Sequence, residues 1–139
     1  MRVTTERLSV NTQGAGDLRD ITFSLQETLV KTGLQEGQLT VFVVGSTAAL
    51  AMFEFEDGLI RDMQDLYERL APRTKHYAHD DTWDDANGFS HVRAALQGQN
   101  VTIPFQAGKL LLGTWQQVVL AEFDNRPRER RVIVQIIGE

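Results

Sequence analysis

At 139 residues, with 42% apolar and 24% charged side chains, the chain has ordinary globular composition and enough length for a proper hydrophobic core, which excludes disordered, collagen-like and low-complexity readings. It contains no cysteine, so disulfides and thiolate metal sites are excluded, and any transition-metal site must draw on histidine and carboxylates. A formal net charge of −5 opposes nonspecific binding to a phosphate backbone. No run approaches the roughly 18 apolar residues of a membrane span and no apolar signal core follows Met1, so a cytoplasmic protein is expected.

Arg2 to Thr12 alternates loosely, with Val3, Leu8 and Val10 among polar neighbours, and predicts an opening strand turned at Gly14 to Asp17. Thr22 is placed to cap a helix with Leu25, Leu29 and Val30 as its apolar stripe and Gly33 as its stop. The β-branched run Leu39 to Val44 predicts a strand covered on both faces. After the small and apolar stretch Gly45 to Phe55, Asp57 is placed to cap the clearest helix, with Leu59, Met63, Leu66, Tyr67 and Leu70 on one side and Pro72 as its limit. Arg73 to Gly88 has no period and reads as a long loop or short irregular strand, and Ser90 is placed to cap a short helix from His91 to Gln97. Val101 to Gln106, Leu110 to Phe123 with a break near Gly113, and Val132 to Ile137 read as strands of a C-terminal β-meander. No repeat or shift of composition divides the chain, so the expectation is a single α+β domain over residues 1–139.

All three histidines, His76, His79 and His91, fall in the polar segment from His76 to His91, among Asp80, Asp81, Asp84 and Asp85. Imidazoles and carboxylates in this number can hold a divalent metal, exchange protons near neutral pH or orient a polar ligand, and a first-turn His91 would sit at the positive end of its helix, which suits an anion. The spacing matches no closed zinc signature, and the alternative is a solvated acidic loop in which Asp80 or Asp81 serves as a turn or cap residue. Glu54 and Glu56 alternate with Phe53 and Phe55, so the carboxylates share one face, either as a metal or proton pair or as a solvent-facing edge. Trp115 reads as a pocket wall or, more commonly for its type, a core residue, and Arg126, Arg128, Arg130 and Arg131 as a phosphate site or, preferably, as a solvated hairpin turn making subunit salt bridges.

The motifs together resemble one family. Gly16-Asp17 precedes Asp20-Ile21-Thr22; Ser46-Thr47-Ala48-Ala49-Leu50 is followed by Glu54; His79-Asp80-Asp81-Thr82-Trp83 is followed by Asn87-Gly88 and Ser90-His91. Gly108-Lys109-Leu110, Gly113-Thr114-Trp115-Gln116-Gln117, Glu122-Phe123-Asp124, Arg130-Arg131 and Gly138-Glu139 complete the pattern. Over nearly its whole length the chain resembles the YjbQ family, often labelled secondary thiamine-phosphate synthases. The resemblance implies a packed β-sheet with flanking helices, a homotrimer with clefts near subunit contacts, and a weak capacity to join a pyrimidine diphosphate to a thiazole phosphate. It places His79, His91 and Glu54 at the catalytic work, and a possible divalent metal ion on His79 and His91.

The chain departs from that pattern at Gly45, where family members carry a histidine, at Phe53 and Phe55, where they carry amides, and at Phe89, where many carry histidine. With one of the expected imidazoles replaced by glycine, metal binding should be weakened. The first expectation is thus a family-type site for a phosphorylated small molecule with residual synthase activity, and the second a noncatalytic trimer that binds a small metabolite or partner through an altered pocket. A nucleic-acid-binding module has only the arginine tail behind it, without interleaved aromatics, and ranks last.

Overall fold

The computed structural model describes residues 1–139 and runs β1 (Arg2–Thr12), β2 (Leu18–Asp20), α1 (Thr22–Thr32), β3 (Glu36–Val44), β4 (Ala48–Phe53), α2 (Asp57–Leu70), α3 (Ala78–Trp83), α4 (Gly88–Gln97), β5 (Asn100–Gln106), β6 (Lys109–Leu110), β7 (Gln117–Glu122) and β8 (Arg128–Gly138). The strands make a five-stranded sheet in the order β1-β8-β3-β5-β6 and a three-stranded sheet in the order β2-β7-β4. Every pairing is antiparallel. The α+β class read from the sequence holds. The strands expected as a C-terminal meander are divided between the sheets: β5 and β6 form a hairpin, β7 crosses to the smaller sheet, and β8 returns between β1 and β3.

Two apolar clusters explain this layering. The larger joins Leu39, Val41 and Val43 of β3 and Val132, Val134 and Ile136 of β8 to Leu50, Val118 and Leu120 of the smaller sheet, with Leu25 and Leu29 of α1. The smaller lies on the other side of β7 and β4, where Ala49, Val119 and Ala121 meet Tyr67 of α2, Ala94 of α4 and Phe123. The three-stranded sheet is thus covered on both faces, and β7 is buried continuously from Val118 to Glu122. The five-stranded sheet is covered on one face. β3 accordingly alternates, with Phe42 44% exposed between buried Val41 and Val43, which corrects the expectation of two covered faces for this run. An apolar run has no mark that tells one covered face from two when an outward residue happens to be aromatic.

The helix starts also shift. Thr22 is the first residue of α1, and its N–H and hydroxyl are held by Asp20 Oδ1. Glu56, not Asp57, caps α2 by accepting from the N–H groups of Gly58 and Leu59. α4 begins two residues before Ser90, whose hydroxyl donates to the Asn87 carbonyl instead of capping. The segment read as a loop contains the short helix α3.

Where the two sheets meet, a buried ion pair binds them. Arg130 of β8 reaches Glu122 of β7 through Nε and Nη2, the first contact at 2.7 Å, and both side chains are buried. Thr12 of β1 donates to Glu122 Oε1 at 2.6 Å, and Arg130 Nη2 donates to Thr47 Oγ1 at 2.7 Å. Thr47 in turn donates to Asp124, which Arg128 also holds. Arg128 and Arg130 are therefore structural, but they pair within the chain and Arg130 is buried, which corrects the expectation of a solvated turn bridging subunits. Glu122→Ala strands a buried guanidinium, and a loss of about 3–5 kcal/mol is expected in urea unfolding; a loss under about 1 kcal/mol would mean that solvent reaches Arg130.

Candidate functional site

The site sits at the end of the sheet interface closed by that ion pair. A tight local framework brings α3 and α4 together there. Asp80 in the first turn of α3 accepts from the Tyr77 N–H and from the Gly88 N–H at the start of α4. Its burial would raise its pKa, but these two backbone bonds outweigh it and hold the carboxyl below its ordinary value. Asp80 thereby occupies the amide at the α4 N-terminus that an anionic ligand was expected to use. Asn87 lies between two carboxylates, 2.9 Å from Asp85 and 3.4 Å from Asp124, and a turn of its amide chooses which of them receives its N–H.

The fold places His79 of α3 against His91 of α4, with ring centroids 4.3 Å apart and planes tilted by 37°. His79 Nδ1 is shielded from solvent and has no hydrogen-bond partner. Asp85 Oδ1 approaches it to 3.7 Å, too far for a hydrogen bond. Ligand atoms of His79, Asp80 and Asp85 lie within 4.8 Å of one another. Because Asp80 already serves two backbone amides, His79 and Asp85 are the freer donors, and His91 stacks on His79 beside them. An unpaired imidazole nitrogen facing a carboxylate fits a divalent cation. His76 stands apart from the pair and bonds Asp81 at the surface.

Asp124 comes into this cluster from the turn after β7, 37 residues beyond Asn87, and was visible only as part of a resemblance. A residue-level signal existed: Glu122 and Asp124 are spaced by two, as are Arg128 and Arg130 across a short turn, the spacing of side chains on one face of a strand. Burial raises the Asp124 pKa, but the bonds from Arg128, the Asn125 N–H, Asn87 and Thr47 outweigh it and keep the carboxyl low.

Glu54 is not brought to the histidines. Thr47, just before β4, touches Asp124, whereas Glu54 follows the far end of the strand, on the order of 20 Å along the sheet. There it lines a separate concavity with Asp20, Glu56, Asp57, Trp115 and Gln117. Glu56 is committed to its cap, so the two carboxylates are not a matched pair. Trp115 is neither core nor enclosed: it is 69% exposed, in the turn that precedes β7. Gly45 lies at φ +135°, and a Cβ there would stand 2.9 Å from Arg130 Nη1, the guanidinium that Glu122 fixes. The backbone at this position is shaped for glycine.

A sequence model of the family described as "UPF0047 protein YjbQ-like" matches residues 6–139. The chain belongs to the YjbQ family. A UPF0047 protein from Archaeoglobus fulgidus is 37% identical, covering 94% of this chain and 98% of that protein. Another, from Methanothermobacter thermautotrophicus, is 37% identical over 100% of this chain and 95% of its own length. A YbjQ-like protein of unknown function from Sulfolobus solfataricus superposes with a TM-score of 0.88 at 30% identity, covering 99% of this chain and 100% of that one. These similarities establish YjbQ kinship and fold, and they leave the chemistry to be argued from the site. No helix of this YjbQ chain is long and apolar enough to cross a membrane.

Burial first, and then the charge of neighbouring His79, hold the His91 imidazole below its ordinary pKa of 6.5, while Asp124 and Asp85 pull the other way. The folded protein then binds this proton less tightly than the unfolded chain. Stability tied to His91 is complete above about pH 6.5 and is lost as the pH falls through the folded value below it. In chelator-treated protein the melting temperature should therefore drop between about pH 8 and pH 5, and His91→Gln should flatten that step. An unchanged step in the variant would assign it to other groups.

Proposed function

We propose that the chain is a YjbQ-type transferase that acts on phosphorylated small molecules, with weak condensation of a pyrimidine diphosphate and a thiazole phosphate into thiamine phosphate as its reaction. The observation that carries this reading is the shielded, unpaired Nδ1 of His79 facing Asp85 with His91 stacked beside it. In the condensation the bond from the pyrimidine methylene carbon to diphosphate breaks, the electron pair leaves with the diphosphate, and the thiazole nitrogen bonds to that carbon. A divalent cation held by His79 and Asp85, with His91 adjoining, would supply positive charge where the leaving diphosphate gathers negative charge. His91, its pKa lowered by burial, is neutral near pH 7 and available to accept a proton or orient the substrate.

A trimer belongs to the same proposal. The open face of the five-stranded sheet carries Phe42 and Val44 on β3, with Val3 and Ile137 at paired positions of β1 and β8, all exposed in the single chain. Burying such a row against another copy is the ordinary remedy for a naked sheet face. Glu54 could then join the histidines from a neighbouring protomer, which agrees with clefts at subunit contacts. Light scattering is expected to give three times the chain mass of 15.7 kDa, and a monomer would remove the trimer from the proposal.

A second reading, a noncatalytic trimer that binds a metabolite or partner, is favoured by Gly45, whose backbone and closeness to Arg130 leave little room for a third imidazole. Metal analysis and an assay for thiamine phosphate separate the two. A stoichiometric divalent metal is expected, lost in His79→Ala and reduced in His91→Ala, with product formation falling about tenfold or more alongside it. Metal-free protein that forms no thiamine phosphate from the two precursors would leave the noncatalytic reading.

A further inference from the structure

Away from the histidines, α2 and α4 enclose a cavity of about 240 Å³ whose wall includes Gly16, Gln64, Glu68, Arg73, Arg93 and Phe123. Arg93 is its centre. It is 5% exposed; its Nε donates to the Ala71 carbonyl at 3.0 Å and its Nη2 to Glu68 Oε2 at 2.6 Å. Its remaining nitrogen, Nη1, has no hydrogen-bond partner, yet it is not sealed from solvent. Arg93 lines the cavity, and Nη1 is the one of its nitrogens left without a partner there.

A second guanidinium-bearing residue, Arg73, lines the same cavity. Arg73 and Arg93 both lie over the Phe89 ring, at 5.4 and 4.9 Å from its centroid, and the Arg73 side chain makes no hydrogen bond of its own. Glu68 is the carboxylate on this wall, and its oxygens are taken by the Arg73 backbone N–H and by Arg93 Nη2. Two cations against one anion leave the wall with a positive charge. Each guanidinium packs on the Phe89 ring, whose electron-rich face favours a cation.

We propose that this cavity binds the oxoanionic head of a small molecule, a phosphoryl or carboxylate group, between Arg93 Nη1 and the Arg73 guanidinium. Guanidinium forks match such groups in shape and charge. The volume lies below the about 300 Å³ at which pockets for drug-sized ligands begin, so the cavity accommodates a head group and not a whole nucleotide. This binding does not depend on the chemistry proposed for the histidines. Arg93 and His91 are two residues apart on α4, about 200° around the helix, and the cavity shares no residue with His79, Asp80 and Asp85.

The test is a titration of the full chain with inorganic phosphate, and separately with acetate, at constant ionic strength, followed by NMR at the Gly16 amide and the arginine Nε–H signals. Saturable shifts at these resonances are expected. Saturation by phosphate alone assigns a phosphoryl head, and saturation by acetate as well assigns the general oxoanion. Arg73→Gln, which breaks no hydrogen bond of the fold, should weaken binding about tenfold. Glu68→Gln, which frees Arg93 from its competing carboxylate, should tighten it severalfold, and His79→Ala should leave it unchanged. No saturable shift up to about 10 mM of either anion overturns the proposal. So does equal affinity in wild type and Arg73→Gln, which would place the anion elsewhere on the surface.

Discussion

The buried pair of Glu122 and Arg130 is the constraint on which the rest of this structure depends. It lies where β7 and β8 leave the same short turn for different sheets, and both charges are withdrawn from water. Such a pair is tolerated only when its remaining donors and acceptors are satisfied. Thr12 from β1 and Thr47 from the turn before β4 supply that satisfaction, so one ion pair draws in strands from both sheets. Apolar contact between the sheets supplies most of the burial, but it has little direction. The ion pair gives the sheets a fixed registration at one end, and the candidate site is built at that end.

From there the fixed geometry spreads outward by hydrogen bonds. Thr47 passes it to Asp124, Asp124 meets Asn87, and Asn87 starts α4, which carries His91. Asp80 clamps α3 to the same helix start and so presents His79 to His91. The framework residues end with paired polar atoms. His79 Nδ1 does not. With Asp80 and Asp124 committed to the framework, the shielded, unpaired nitrogen of His79 and the facing carboxylate of Asp85 are what is left for a ligand.

The sequence showed the longer strands and helices because alternation and helical spacing are local, but β2 and α3 are too short to carry a period and were missed. It did not show which strand lay in which sheet, since alternation identifies a face and not its partner. Leu39 to Val44 was read as doubly covered, yet the doubly covered strands are β4 and β7, whose small residues Ala48, Ala49, Ala51 and Ala121 let layers approach from both sides. The histidine cluster was legible because its members are neighbours in the chain. Asp124 reaches it only through the fold, and Glu54 is excluded by the length of β4, which a pattern of conserved-looking motifs does not measure. Trp115 was misplaced for a related reason: its residue type favours a core, but the turn before β7 holds it outside.

Helix α4 then emerges as the element that separates two environments. Its His91 side faces the carboxylates of Asp85 and Asp124 and the ring of His79, where a metal cation is welcome. Its Arg93 side faces a ring, a second guanidinium and one satisfied carboxylate, where an anion is welcome. Burial on one helix of a group that prefers cations and a group that prefers anions demands that the helix not rotate, because a turn of one residue, about 100°, would carry each away from its partners. The bonds from Gly88 to Asp80 at one end and from Arg93 to Ala71 and Glu68 nearer the other supply that resistance. Arg93 is therefore held for the fold by two of its nitrogens, which is what leaves the third fixed in direction, as a recognition group must be.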